Sequence, residues 1–213
     1  MAGQTQRIVL VGAGDHAKVV LEALWAMGTF DVAGLLDPHP TSAEVLGVPV
    51  LGGDELLPGL LRQGVAAAVV AVGTNLRRQK IGQSLLAMGF ALPVVAHPSA
   101  ILAPSATIAD GTVVMARAVV GTLANIGEFA LINTGAIVEH DNQIGQAAHI
   151  APGAVLAGRV TVGQRALVGV GSAVRPGISI GDDSIVGAGS AVVSNVSPNS
   201  IVFGTPARIQ SGS

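Results

Sequence analysis

The chain has no cysteine and no tyrosine, one tryptophan and four phenylalanines, so aromatic residues make up only 2% of its 213 positions. Without cysteine there is no disulfide, no thiolate metal site and no acyl-enzyme on a thiol. The lack also suits a reducing compartment. A chain that is 50% hydrophobic yet nearly free of rings must build its core from Val, Ile, Leu and Ala, and such a core is narrow and regular. Charge is scarce as well: Asp, Glu, Lys and Arg total 11%, with a net charge of −2. No basic excess is available to neutralise the phosphates of a nucleic acid, which argues against that partner. An uncharged run over residues 81–109 is long enough to span a bilayer, but Pro93, Pro98, Pro104 and several Ser, Gln and His residues interrupt it. No membrane insertion is therefore expected. The N-terminal apolar run is too short for a signal peptide, and a cytoplasmic protein is expected.

What the chain does have is glycine, 29 residues without a G-X-Y period, and a strict repeat of six. Stepping by six from Leu102 meets Ile108, Val114, Val120, Ile126, Ile132, Val138, Ile144, Ile150, Leu156, Val162, Val168, Val174, Ile180, Val186 and Val192, all aliphatic and without an insertion. Four residues later the side chain is mostly Ala, Ser or Thr, and the next position after the aliphatic one is often Gly, as at Gly121, Gly127, Gly145 and Gly163. Helical geometry scatters a period of six around the axis, whereas short strands joined by turns accommodate it. Three hexads then close a triangular coil of about 18 residues, and coils stack by backbone pairing at roughly 4.8 Å. The reading is a parallel β-helix.

The first hundred residues alternate differently. RIVLVGAG reads as a buried strand entering a glycine turn, and DHAKVVLEALWAMG as a helix. VAGLLD reads as a strand, DELLPGLLRQG as a helix, AAAVVAVG as a strand and NLRRQKIGQSLLAMG as a helix, with LPVV a further strand. Such alternation implies a small parallel α/β sheet. The fold expected is α/β plus β: a small Rossmann-like domain over residues 1–98, then a β-helix over 99–213 with a C-terminal tail.

Gly12, Ala13, Gly14 and His16 lie in a G-x-G-x-x-A turn from strand to helix, with Asp37 twenty residues after Ala17. Glycines let a backbone approach phosphate, a helix N-terminus favours the anion, and the acid suits a ribose. A plain tight βα turn has the same pattern. About 95 residues precede the β-helix, half a full dinucleotide fold, which fits a nucleotide carried by the substrate better than a redox cofactor. Asn75 and Arg78 follow the third strand and face the same crevice in one reading; in the other the arginines are a solvated helix face. Lys18 reads as solvated.

In the repeats, Glu139, His140 and Asp141 sit together at an outward corner after inward Val138, and Gly158 lies one coil of 18 residues beyond His140, leaving bare backbone beside it. A histidine beside carboxylates suits general-base work, because the acid fixes the tautomer. An ordinary surface histidine on a turn is the bland account. His149 lies on the next face, nine residues away, a spacing that gives no paired metal ligands, so no metal is expected. A narrow β-helix carries sites on its surface, commonly completed by a neighbouring subunit.

Four segments, GAGDHAKVV, HPSA, INTGAIVEHDNQIG and FGTPAR, together resemble the left-handed β-helix (hexapeptide-repeat) acyltransferases. More narrowly, they resemble the bacterial nucleotide-sugar acetyltransferases related to sialic acid O-acetyltransferases and to N-acetyltransferases of 4-amino sugars. The resemblance covers essentially the whole chain. It implies the left hand of the β-helix and a homotrimer with acetyl-CoA between adjacent β-helices. It also implies His140 as catalytic base oriented by Asp141, and His149 and the Gly158 backbone against the acetyl group or pantetheine. Gly12, Gly14, His16 and Asp37 would then hold the nucleotide, and Arg208 is placed to reach a CoA phosphate or to lie in a solvated tail. Where some relatives carry Glu after the histidine, this chain has the shorter Asp141. The implied reaction is direct acetyl transfer from acetyl-CoA to the C4 amine of a UDP- or GDP-linked 4-amino-4,6-dideoxy sugar. Acetylation of a sugar hydroxyl, or a non-catalytic nucleotide-sugar-binding role, are the other readings. Glu139 is either a substrate contact or a solvated neighbour.

Overall fold

The computed structural model describes residues 5–210. The N-terminal part holds a five-stranded sheet with β1 (Gln6–Val11), β2 (Phe30–Leu36), β3 (Glu44–Val45), β4 (Val48–Gly52) and β5 (Ala67–Val70) in the order β3-β4-β2-β1-β5. β1 pairs in parallel with both β2 and β5, and β2 with β4. Ile8 to Val11 are buried on both faces of the sheet, as a continuous apolar run in a parallel strand demands. Ile8 and Leu10 pack with Ala17, Val20, Leu21 and Leu24 of helix α1 (Asp15–Met27). Val9 and Val11 pack on the other face with Leu57 and Leu60 of α2 (Leu57–Arg62) and Leu85 of α3 (Asn75–Met88). The chain leaves β1 towards β2 on one side and places β5 on the other, so a topological switch point lies at the C-terminal end of β1, where α/β sheets bind ligands.

Two features depart from the sequence reading. β3 and β4 form an antiparallel hairpin that carries no Asn-Gly signal. Its turn is Leu46-Gly47, with φ of 50° and 80°, so a leucine occupies a left-handed position usually given to Asn or Gly. The LPVV segment does not extend the α/β sheet. Its Val95–Ala96 strand pairs with Val113–Val114 and is the first rung of the β-helix.

Residues 95–192 form three stacked sheets of two-residue strands that pair in parallel at a spacing of 18 residues, as Val120 does with Val138 and Val138 with Leu156; at the C-terminal end Ile185–Val186 pairs with Ile201–Gly204, 16 residues on, which turns back antiparallel onto Ala207–Ile209. The hexad aliphatics from Val114 to Val192 are all buried. Leu102, on an edge strand, is 38% exposed because no coil covers it from below. The third residue after each aliphatic from Ile108 to Val186 takes a left-handed conformation, whether glycine, as at Gly135 and Gly153, or not, as at Leu123, Asp141 and Arg159. The recurrent glycine directly after the aliphatic has a steric cause. A Cβ on Gly145 would lie 2.6 Å from the backbone nitrogen of Gln164 in the next coil, and one on Gly127 would lie 2.8 Å from that of Gln146. The coils approach too closely for a side chain there.

Val113, Met115 and Leu131 join the core beneath α1, and Phe129 and Ala147 the core beneath α3. The α/β part is thus welded to one flank of the β-helix by shared hydrophobic cores. No helix among the described residues is long and apolar enough to cross a membrane.

Candidate active site

His140 stands at a corner of the β-helix, between the strand Ile137–Val138 and the strand Gln143–Ile144. Its Nδ1 lies 2.8 Å from Asp141 Oδ2. A carboxylate only accepts at neutral pH, so Nδ1 carries the hydrogen and the Nε2 lone pair is directed outward as a base. The left-handed backbone of Asp141, φ 59°, is the corner conformation of the whole repeat, and Asp tolerates it better than most residues. Glu139 Oε2 accepts the backbone N–H of His140 at 3.3 Å, which steadies the corner.

Gly158 lies directly alongside His140, as the 18-residue spacing implies. A Cβ on Gly158 would meet His140 Nε2 at 2.5 Å, so the ring occupies the space that any other residue would fill. The His140 carbonyl accepts the Arg159 N–H and the Gly158 carbonyl accepts the Gly177 N–H. The Gly158 N–H makes no hydrogen bond among the described residues. A free donor beside an imidazole base is the arrangement that general-base acyl transfer needs: a group to take a proton and a group to receive an oxyanion.

A second set of residues gathers where the α/β part meets the β-helix. Arg78 of α3 is 1% exposed and has no acidic partner among the described residues. Its guanidinium donates instead to the carbonyls of Phe129 (2.8 Å), Gly73 (2.9 Å) and Ala147 (2.8 Å) and to Asn75 Oδ1 (3.0 Å). The solvated-face account of Arg78 is therefore wrong: the side chain bolts two parts of the chain together. Asn75 is engaged in the same way. Its Nδ2 donates to the carbonyls of Arg165 (2.7 Å) and Ala166 (3.2 Å), so in this structure its amide is joined to the β-helix.

His16, at the start of α1, and His149 share this junction. Burial first, then the positive charge of Arg78, push His16 down to about 4; burial, Arg78 and then His16 push His149 down to about 3. Burial alone lowers Arg78, to about 10. Both imidazoles are neutral at neutral pH. The tautomer of His149 follows from its neighbour. Asn133 Oδ1 accepts the Thr134 N–H at 2.8 Å, which turns Asn133 Nδ2 towards His149 Nε2 at 3.1 Å. Nε2 must then accept, and Nδ1 carries the hydrogen. His149 lines a cleft of about 310 Å³ with Thr74, Asn75, Arg165 and Asp183. No hydrogen bond among the described residues joins His149 to His140.

At the glycine turn, Gly12 has φ 112° and a Cβ there would lie 2.8 Å from the Ala71 carbonyl oxygen, so the fold itself requires glycine. Gly14 is different: its backbone is extended, and a Cβ would meet nothing within 4 Å. Its lack of a side chain serves the space outside, where a cleft of about 420 Å³ is lined by Ala13, Gly14, Lys18, Thr41, Ser42 and Glu44. Asp37 Oδ2 accepts the Ala13 N–H at 3.0 Å and Oδ1 the His39 N–H at 2.9 Å, so the acid holds the turn in shape. Lys18 pairs with Asp15 at 2.7 Å in solvent. The buried Nε2 of His16 has no partner among the described residues. Arg208 lies in the C-terminal hairpin and donates to its neighbour's carbonyl, Ala207, at 2.9 Å, beside a cleft formed with Val192, Val196 and Val202. Among the described residues no three His, Cys, Asp or Glu converge as metal ligands.

Asn133 and the buried Asn142, two residues after His140, escaped the sequence reading, and so did the junction role of Arg78. Asn133 and Asn142 could have been found as breaks in the repeat, since each puts an amide where neighbouring hexads mostly have a small side chain. Arg78 had no such signal, because its role depends on carbonyls about 50 to 70 residues away in sequence.

The chain matches the family described as PglD N-terminal domain over residues 7–85 and the one described as hexapeptide repeat of succinyl-transferase over residues 159–194. It superposes on the perosamine N-acetyltransferase of Caulobacter crescentus, a histidine-to-asparagine mutant in complex with CoA and GDP-perosamine, with a TM-score of 0.93 and 46% identity, over 96% of this chain and 97% of that one. The acetyltransferase domain of PglB from Neisseria gonorrhoeae FA1090, in complex with acetyl coenzyme A, matches with a TM-score of 0.92 and 37% identity, over 96% and 99%. The UDP-N-acetylbacillosamine N-acetyltransferase of Bacillus subtilis (strain 168) is 39% identical over 119 residues, 52% of this chain and 52% of that protein, so the match spans about half the length of that curated relative. The stacked parallel sheets are those of the left-handed β-helix of hexapeptide transferases.

Proposed function

Because the chain belongs to the hexapeptide-repeat family of nucleotide-sugar N-acetyltransferases, we propose that it transfers the acetyl group of acetyl-CoA to the C4 amine of a nucleotide-linked 4-amino-4,6-dideoxy sugar. The observation that carries this reading is the His140–Asp141 pair set against Gly158. In the relatives, GDP-perosamine and UDP-N-acetylbacillosamine are the sugars named, and a GDP- or UDP-linked amine is the acceptor class here.

The chemistry follows from the corner. The sugar ammonium sheds one proton to become a nucleophile, and its nitrogen attacks the thioester carbonyl. As the C–N bond forms, His140 Nε2 takes the second proton, directly or through a water, while Asp141 holds Nδ1–H and stabilises the imidazolium. Negative charge gathers on the carbonyl oxygen, and the free Gly158 N–H is the donor for it. The tetrahedral species then collapses, the C–S bond breaks, and the imidazolium returns its proton to the CoA thiolate. No acyl-enzyme on a thiol is available, since the chain has no cysteine. In this reading residues 1–98 hold the nucleotide sugar through the Gly12–Gly14 turn, His16 and Asp37, and residues 99–213 carry the transfer, with His149 and Arg208 on the acetyl-CoA side.

A homotrimer completes the site in this proposal. Support comes from the lining of the cleft at the glycine turn, which includes no residue of the His140 corner. Leu123, one coil below Asp141 in the same corner column, is also 58% exposed and leaves an apolar surface beside the base for a second chain to cover. A cytoplasmic location belongs to the same proposal and fits substrates of this kind.

The deciding experiment follows CoA release with GDP- and UDP-linked 4-amino sugars and, in parallel, with acceptors that offer only hydroxyls, for the unaltered chain and for His140→Ala. Turnover is expected with an amine acceptor and should fall at least about 100-fold in the variant. Turnover confined to hydroxyl acceptors, or an undiminished variant, would overturn the reading.

A further inference from the structure

Asn142 is 0% exposed and sits at the inward small position of the coil that bears His140. Most such positions hold Ala, Ser or Thr. In the same column of corners the two preceding turns close by a backbone hydrogen bond, Ala106 N–H to the Ala103 carbonyl at 2.9 Å and Ala124 N–H to the Gly121 carbonyl at 3.2 Å. The next three turns, Glu139–Asn142, Ala157–Val160 and Arg175–Ile178, lack that bond among the described residues, and the first two are the ones bridged by a side chain. One side-chain amide serves both of those two turns. Asn142 Nδ2 donates to the Glu139 carbonyl at 2.6 Å and to the Ala157 carbonyl at 3.1 Å, and Asn142 Oδ1 accepts the Val160 N–H at 2.9 Å. The partners fix the orientation of the amide, because two carbonyls require its N–H groups and an N–H requires its oxygen.

The two turns held in this way carry His140 and Gly158. We infer that Asn142 is a positioning residue: its buried amide sets the opening of both corners, and hence the placement of the His140 imidazole against the Gly158 N–H. The inference rests on the proposed role of His140. The fold by itself does not call for an asparagine, since the coil directly before closes the same corner with Ala124 and no side-chain help. What the amide adds is a partner for the carbonyls of Glu139 and Ala157 and for the Val160 N–H, in two corners that lack the ordinary backbone closure. In the second of these corners Val160, larger than alanine, stands in the place of Ala124.

The test compares Asn142→Ala with the double variant Asn142→Ala/Val160→Ala, which gives both corners the alanine that closes the ordinary turn. In Asn142→Ala, kcat should fall about 10- to 100-fold, the scale expected for a catalytic group displaced by about an ångström, with KM for both substrates changed less than about threefold. In the double variant the melting temperature should return towards that of the unaltered chain while kcat stays low. Normal kcat in Asn142→Ala, or recovery of kcat together with stability in the double variant, would show that the amide serves the fold alone and would sink the inference. His140→Ala in the same assay separates the two ideas: if it keeps full turnover, the reading of His140 fails, whatever the Asn142 variants do.

Discussion

The His140 imidazole lies against the Cα of Gly158, so closely that a methyl group built there would stand 2.5 Å from Nε2. Gly158→Ala should therefore push the ring off its position rather than disturb the coil, because the intruded atoms belong to a side chain at a solvent-facing corner. Loss of kcat by about 100-fold is expected, with the melting temperature within a few degrees of the unaltered chain. Circular dichroism melts beside the CoA-release assay check both.

The two glycines of the first turn should separate stability from binding. Gly12→Ala places a Cβ against the Ala71 carbonyl at a φ of 112°, a conformation that L-residues rarely adopt, and should destabilise the α/β part by about 1–3 kcal/mol. Gly14→Ala meets nothing in the protein and should leave the melt unchanged while weakening nucleotide-sugar binding. Calorimetric titration of the two variants with GDP and UDP decides whether the contrast holds.

Arg78→Met should destabilise the junction by about 2–5 kcal/mol in urea unfolding. The loss leaves the carbonyls of Phe129, Gly73 and Ala147 without donors, at about 1–3 kcal/mol for each buried unpaired group, offset in part by removing a buried charge that has no counter-ion. Arg78→Lys should not restore stability, since a point-like ammonium cannot span carbonyls arrayed around a planar guanidinium.

Stability should fall on the acid side through the two junction histidines. In an unfolded chain an imidazole titrates near about 6.5, whereas in the fold His16 protonates only near about 4 and His149 near about 3. Between those values the unfolded chain binds more protons, so the contribution is fully present above about pH 6.5 and is lost as pH drops towards 4. Asp183, held low by its hydrogen bond to Arg165, acts only at more acidic pH. Urea midpoints taken from pH 7.5 to 4.5 should decline steadily, and His149→Gln should flatten that decline. An unchanged slope in the variant would show that His149 is not buried as a neutral group.

The β-helix was legible because its rule is local. An aliphatic every six residues, a glycine or small residue after it and another small residue four places on are direct consequences of stacking coils about 4.8 Å apart, and they remain visible one residue at a time. The same register by itself puts Gly158 beside His140. The α/β part was legible as alternating strands and helices, but the Leu46-Gly47 hairpin was not, because leucine in a left-handed turn carries no propensity signal.

Sequence alone therefore determined the two-part architecture, the corner that holds His140 and Asp141, and the coil-to-coil partnership with Gly158. Only the tertiary structure decided what Arg78, Asn75, His149 and Asn142 do. Their partners are backbone carbonyls and N–H groups of distant turns, which every residue possesses and which no residue type announces. An arginine donating to carbonyls 51 and 69 residues away looks, in the sequence, like any solvated arginine on a helix. The burial that makes it a bolt, and that keeps two histidines neutral beside it, exists only once the β-helix has closed over α3.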